Sequence, residues 1–133
     1  MTLWIKLYLA TVPVFFAIDI LWIAYLAKDL YRNNIGYYMA DKPNWTAALF
    51  FYLLFIIGIL YFGVKPGIEQ NNWQIAALNG GLFGFFTYAT YDLTNLAVAK
   101  DWPLNVTLID MAWGTLLCTL VATSSFFIYQ WIN

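Results

Sequence analysis

The segment WTAALFFYLLFIIGILYFGV, residues 45–64, contains no charged side chain. About 20 consecutive apolar residues suffice for a helix to cross the hydrocarbon core of a bilayer, so this segment predicts a transmembrane helix. Lys42 and Pro43 precede it, and Lys65 and Pro66 follow it. Charged and helix-breaking residues at both ends indicate where the span should begin and end.

Three further stretches have the same character, and the sequence as a whole is apolar. They cover residues 3–27, 73–99 and 104–131. Of all 133 residues, 63% are hydrophobic and 10% are charged, whereas soluble domains carry about 25% charged residues. The chain is therefore predicted to be all-α, an integral membrane four-helix transmembrane bundle, with residues 1–133 forming a single transmembrane domain.

Composition also excludes several classes of site. The chain contains no histidine, which removes histidine-based zinc and haem sites. Cys118 is the single cysteine, so no internal disulfide is available, and a lone buried thiol packs as a small apolar side chain. The net charge of −1 gives no basic surface for nucleic acid. No metal site and no particular cofactor are predicted, and membrane lipids are the expected surroundings.

The distribution of positive charge predicts an orientation. Cytoplasmic connections of membrane proteins carry an excess of Lys and Arg. The first and third connections together carry Lys28, Arg32, Lys42 and Lys100, against Lys6 and Lys65 on the opposite side. Both termini are accordingly expected outside the cytoplasm. The longest connection, residues 28–44, is expected to lie on the membrane surface; alternatively, Tyr31, Tyr37, Tyr38 and Met39 within it form a lid.

Three aspartates interrupt the apolar spans: Asp19, Asp92 and Asp110. Counting along the helices at 1.5 Å per residue places all three roughly 10–14 Å below the same membrane boundary. Carboxylates are rare in bilayer spans and usually face a protein interior or a wet cavity. The spans carry no Lys or Arg at this depth, so the three acids would need protons, a bound cation or water.

Aromatic and polar residues accompany each of these acids. Ile18–Trp22 and Ile109–Trp113 both have the pattern Ile-Asp-x-x-Trp, which is consistent either with an internal repeat or with chance. In the third span, the glycines of Gly80-x-x-x-Gly84 predict close approach of a neighbouring helix. The ligand-binding residues predicted from these patterns are Asp19, Trp22, Tyr88, Tyr91, Asp92, Asn95, Asp110 and Trp113.

The third and fourth spans also contain a set of recognisable sequence motifs. It comprises ALNGGLFG at 77–84, TYATYDLTNL at 87–96, Trp102-Pro103 and DMAWG at 110–114. With Asp19 and Trp22, these segments resemble a bacterial family of predicted membrane proteins known only as a domain of unknown function, number 2177. The resemblance covers essentially the whole chain and implies a small protein of the bacterial inner (cytoplasmic) membrane. It assigns no catalytic or binding role to any residue.

Three functions fit these features. The first is a small transporter or binding protein for a cationic or amphipathic ligand or for protons, with cation–π walls and a homodimer enclosing the path. The second is a membrane-embedded enzyme acting on a lipid or isoprenoid, in which carboxylates act as acid and base or ligate Mg²⁺. The third is an accessory structural subunit whose acids only join helices. The lack of a phosphate-binding loop or nucleophile motif favours the first over the second.

Overall fold

The computed structural model describes residues 2–133 and is predominantly helical, with no strand in that range. The predicted all-α architecture is thus confirmed. In chain order the helices are α1 Thr2–Leu21, α2 Lys28–Ile35, α3 Trp45–Gly58, α4 Lys65–Glu69, α5 Trp73–Val98 and α6 Leu104–Ile132. Single π-helical segments continue two of them, Trp22–Leu26 after α1 and Ile59–Val64 between α3 and α4.

Among the described helices, three are long and apolar enough to cross a membrane. They are Thr2–Leu26, Trp45–Glu69 and Leu104–Ile132, with mean hydropathies of 2.0, 2.5 and 1.6. The sequence predicted four spans. The remaining long helix, α5, has 26 residues but includes Gln74, Asn79, Asp92 and Asn95 among its polar side chains. These residues lower its apolar content, so by length and composition α5 is not counted with the other three.

The second span is longer than expected because Pro66 does not end it. The prediction stopped this helix at residue 64, before Lys65 and Pro66, but helical structure continues to Glu69. A proline is tolerated in the first turn of a helix, where its missing N–H would have no partner. Pro66 lies in the first turn of α4, directly after the π-helical segment, and the chain leaves the helix only at Gln70.

Glycines set the close packing of α5 against α6. A Cβ on Gly84 would collide with the carbonyl oxygen of Gly114 and with the side chain of Cys118, and a Cβ on Gly80 would collide with Ala122. Small residues at such positions let two helix backbones approach closely. The close approach predicted from Gly80-x-x-x-Gly84 is confirmed, and the partner helix is α6.

The first helix packs against another face of α6, so α6 lies between α1 and α5. In this contact the buried hydroxyls of Thr11 and Ser125 are 2.8 Å apart, while the Thr11 hydroxyl also donates to the carbonyl of Leu7. Phe15 and Leu117 are fully buried members of the core that surrounds the contact. A cavity that is lined in part by α2 lies towards the other end of the bundle.

The connection from residue 28 to 44 folds back over that end. The Tyr37 hydroxyl donates to the carbonyl oxygen of Asp101 at 2.5 Å, and the Tyr38 hydroxyl donates to the carbonyl of Lys100. Asn105 donates to the side-chain oxygen of Asn34 at 3.2 Å. These bonds join the first connection to the turn between α5 and α6, and α2 lines the same cavity as the three aspartates.

Candidate functional site

A cavity of about 800 Å³ lies between the long helices beneath α2. Seven of the eight residues predicted to bind a ligand line it, and they come from α1 and its π-helical end, α5 and α6. These seven are Asp19, Trp22, Tyr88, Tyr91, Asp92, Asp110 and Trp113. The three aspartates, which are separated by up to 91 positions in the sequence, therefore face one common space.

Asn95 is the exception among the eight. It is half-buried on α5, but it does not belong to the described lining of this cavity. Three residues along an α-helix turn the side chain by about 300°, which leaves Asn95 roughly 60° away from Asp92 and almost one turn nearer the helix end. The sequence grouped Asn95 with Asp92, but of these two residues only Asp92 lines the cavity.

The two Ile-Asp-x-x-Trp segments meet face to face. The rings of Trp22 and Trp113 stack with their centroids 4.4 Å apart and their planes 6° from parallel. The Trp113 indole N–H donates to Asp19 Oδ1 at 3.2 Å, so the acid of one segment is bound by the tryptophan of the other. The pattern that the sequence suggested as a repeat is thus also a spatial pair.

The tryptophan of the first segment reaches the acid of the second segment through Tyr31 of α2. The Trp22 indole N–H donates to the Tyr31 hydroxyl at 2.9 Å, and that hydroxyl donates to Asp110 Oδ1 at 2.6 Å. Burial raises the pKa of the Tyr31 hydroxyl, and the charge of Asp110 adds to this increase. Tyr31 therefore remains a proton donor to Asp110 throughout the physiological pH range.

Asp92 differs from the other two acids because it has no donor. Its side chain is fully buried, and neither carboxyl oxygen has a hydrogen-bond partner among residues 2–133. The carboxyl group of Asp110 lies near enough for its charge to act on Asp92. A buried carboxylate without partners costs more free energy than a single hydrogen bond returns. Asp92 therefore needs a proton or a bound group that supplies positive charge.

A second polar group in this cavity is also unsatisfied. Trp102 lines the cavity, and its indole N–H is buried without an acceptor in the part of the chain that the structure describes. The cavity thus combines a carboxyl group that lacks a donor with an N–H group that lacks an acceptor. Such groups in a native protein usually indicate water, an ion or a ligand that is held there.

Several lining residues were not predicted from the sequence. Lys28 and Arg32, with exposed side chains, lie at the rim of the cavity, and Tyr31 lies between them on α2. Residues 28, 31, 32 and 35 share one face of a helix, and all four line the cavity. This spacing was readable in the sequence once residues 28–35 were taken as a helix. Tyr52, which adjoins Asp19, gave no comparable signal.

The side chains that line the cavity are better suited to bind a small organic molecule than to ligate a metal ion. No group of three or more carboxylate or thiol side chains within residues 2–133 is arranged to hold one metal ion. The cavity instead has acids in its interior, aromatic rings on its walls and two basic side chains at its rim. Pockets of 300–1,000 Å³ that are mostly apolar and carry a few polar groups are typical of small-molecule sites.

Fold and cavity together define a class, a helical membrane protein with a mostly apolar cavity that contains three carboxyl groups. The chain belongs to the family described as "Predicted membrane protein (DUF2177)", whose sequence model matches residues 4–127. The resemblance inferred from the third and fourth spans is thereby confirmed. No curated protein and no solved structure matches the chain.

Proposed function

We propose that this protein binds a small cationic or amphipathic ligand in the cavity around Asp92 and moves that ligand, or protons, across the membrane. The observation that carries the proposal is the state of Asp92, a fully buried carboxyl group in a cavity and without a donor among residues 2–133. Intramembrane carboxyl groups of this kind belong to substrate paths and proton relays more often than to packing.

Aromatic rings supply the second part of the argument. Trp22, Tyr88, Tyr91 and Trp113 line the cavity together with the acids. The face of an aromatic ring attracts a cation within about 6 Å of its centre, and this attraction increases when water is excluded. A ligand with a positive group would therefore be held by the carboxyl groups and the rings together.

The pair of Asp92 and Asp110 offers a means of coupling to protons. When the cavity is empty, a proton on either of these neighbouring carboxyl groups removes the cost of two adjacent negative charges. A positively charged ligand makes the same charge compensation unnecessary, so its entry would release that proton. The two carboxyl groups alone would therefore be enough to exchange a bound ligand for a proton.

The proposal includes four spans in a bacterial inner membrane. α5 packs antiparallel along α6 through Gly80 and Gly84, which supports a place for α5 beside α6 in the bilayer. The positive-inside rule then assigns α2, with Lys28 and Arg32, to the cytoplasmic face and both termini to the opposite face. A homodimer is expected where a path must be enclosed, since four helices form a narrow bundle.

Equilibrium binding of radiolabelled tetraphenylphosphonium to the purified protein tests this proposal. Asp92→Asn keeps the size of the side chain and removes the charge, so it should weaken binding roughly 10- to 100-fold, the range for loss of a charged partner. Asp29→Asn is the matched control because Asp29 is exposed on α2 and does not belong to the described lining of the cavity. Equal binding by wild-type protein and a folded Asp92→Asn variant would rule the proposal out.

A further inference from the structure

We infer that the ligand is a zwitterionic amphiphile with the chemistry of an aminophospholipid: an ammonium group for Asp92, an adjacent phosphate for Lys28, Arg32 and Trp102, and an apolar chain that enters from the bilayer. This inference rests on the proposed function and adds to it the negative group, the chain and the route of entry.

The rim of the cavity carries the first observation. Lys28 and Arg32 are one helical turn apart on α2, and both line the cavity whose interior contains the three aspartates. A ligand that is only cationic would meet two like charges on its way in, which disfavours its binding. A ligand that carries an anionic group next to its cation would instead meet complementary charge both at the rim and in the interior of the cavity.

Trp102 gives an independent observation that points to the same anionic group. Trp102 as a whole is 9% exposed. Its indole nitrogen is buried, and the N–H has no acceptor among the described residues. A cation cannot satisfy an N–H donor, whereas a phosphate oxygen can. The unsatisfied carboxyl group and the unsatisfied N–H in one cavity are therefore both satisfied by an occupant that carries a cationic donor and an anionic acceptor close together.

The walls of the cavity indicate the apolar chain and its route. Phe51 of α3 and Tyr91 of α5 both line the cavity, and they are 53% and 56% exposed. Phe51 lies within the span Trp45–Glu69, so this exposed surface is at membrane depth. The cavity thus opens sideways between α3 and α5, where lipid chains rather than water surround the protein.

Binding measured by native mass spectrometry on the full-length protein in detergent micelles tests the inference with four probes. These are myristoyl lysophosphatidylethanolamine, the cation tetradecyltrimethylammonium, the anion myristoyl lysophosphatidic acid, and glycerophosphoethanolamine, which is the headgroup without a chain. We expect the zwitterionic lipid to bind about tenfold more tightly than either singly charged amphiphile, because charge-assisted bonds form at both ends. The headgroup alone should bind at least tenfold more weakly because the chain contributes apolar burial.

Variants separate this inference from the proposed function. Lys28→Gln/Arg32→Gln and, independently, Trp102→Phe should reduce the affinity for the zwitterionic lipid to no more than that of the cation. Trp102→Phe should leave the cation's affinity unchanged, and Lys28→Gln/Arg32→Gln, which removes two like charges from the rim, should leave it unchanged or increase it. Lys42→Gln/Lys65→Gln makes the same change of charge at residues that lie outside the described lining, and it should have no effect. Elution volume and helical circular dichroism establish that each variant is folded.

Each outcome has a separate meaning. If Asp92→Asn weakens both the cation and the zwitterion while Lys28→Gln/Arg32→Gln and Trp102→Phe leave the zwitterion unchanged, the anion site is wrong and the proposed function stands. If Asp92→Asn changes neither probe, the proposed function fails and this inference fails with it. Equal affinity for the headgroup with and without its chain would overturn the assignment to a lipid.

Discussion

The indole of Trp113 on α6 donates its N–H to Asp19 on α1, across 94 positions of sequence, while its ring stacks on Trp22, three residues after that acid. Trp22 in turn reaches Asp110, the acid beside Trp113, through the hydroxyl of Tyr31. Each tryptophan therefore serves the acid of the opposite segment. This exchange fixes α1 and α6 at the cavity and leaves Asp92 of α5 as the acid without a donor.

The stacked tryptophans should be energetically coupled. In a double-mutant cycle of Trp22→Ala and Trp113→Ala, we expect a coupling free energy of about 0.5–1.5 kcal/mol, the range for aromatic pairs. Reversible unfolding in mixed detergent micelles measures it. Trp22→Ala combined with Trp73→Ala is the control, because Trp73 lies at the far end of the bundle against Phe127 and should give additive effects. Additivity of the first pair would contradict the stacking.

Loss of the charge on Asp92 should not destabilise the fold. Neither of its oxygens accepts a hydrogen bond from residues 2–133, so Asp92→Asn should leave the free energy of unfolding unchanged or increase it. Thr11→Val is the comparison, since Ser125 donates to Thr11 and would lose its acceptor. That variant should lose about 1–3 kcal/mol. A similar loss in Asp92→Asn would mean that the acid joins helices rather than binds a ligand.

Close packing at Gly84 should be sensitive to a single methyl group. Gly84→Ala places a Cβ against the backbone of Gly114 and against Cys118, so it should lower the free energy of unfolding by about 1–3 kcal/mol. Gly36→Ala is the matched control, because its nearest neighbour would be Arg32 Cγ at 3.9 Å. Thermal unfolding of both variants provides the measurement, and equal stability of the two would argue against the α5–α6 contact.

Tyr31 should hold α2 over the cavity. Tyr31→Phe removes the bond to Asp110, so amide hydrogen exchange of residues 28–38 should become roughly five- to tenfold faster, as expected for loss of a charge-assisted bond in a part-exposed segment. Exchange mass spectrometry can follow these residues directly. Tyr25→Phe, at a tyrosine that is 77% exposed, should leave their exchange unchanged. Unaltered exchange in Tyr31→Phe would show that the other bonds of the connection hold it alone.

The pH dependence of Tyr31 follows from its raised pKa. Burial disfavours its phenolate, so the folded protein should ionise Tyr31 only well above pH 10, the ordinary value. The unfolded chain ionises it near that value, and the contribution of Tyr31 to stability is therefore complete below pH 10 and declines above it. Wild-type and Tyr31→Phe protein should show the same near-ultraviolet phenolate absorbance just above pH 10. A difference there equal to that of a partly ionised tyrosine of ordinary pKa would contradict the burial.

Local features of the sequence were sufficient to predict the long helices and the common depth of the three aspartates. The apolar runs predicted α1, α3 and α6, and counting residues from the span ends brought Asp19, Asp92 and Asp110 to one depth, because the rise of a helix is constant. Gly80 and Gly84 also predicted a close helix contact correctly. The end of the second span was predicted wrongly, since a proline in a first turn does not stop a helix.

Tertiary structure alone decided which polar groups are satisfied. The sequence placed a tryptophan after both Asp19 and Asp110 but could not show that each binds the other's acid, because that depends on the relative rotation of two helices. Nor could it show that the chain after α1 folds back to bring Lys28 and Tyr31 to the cavity, or that Asp92 and Trp102 are left without partners. Helical periodicity is a local property, whereas hydrogen-bond satisfaction depends on neighbours that are distant in sequence.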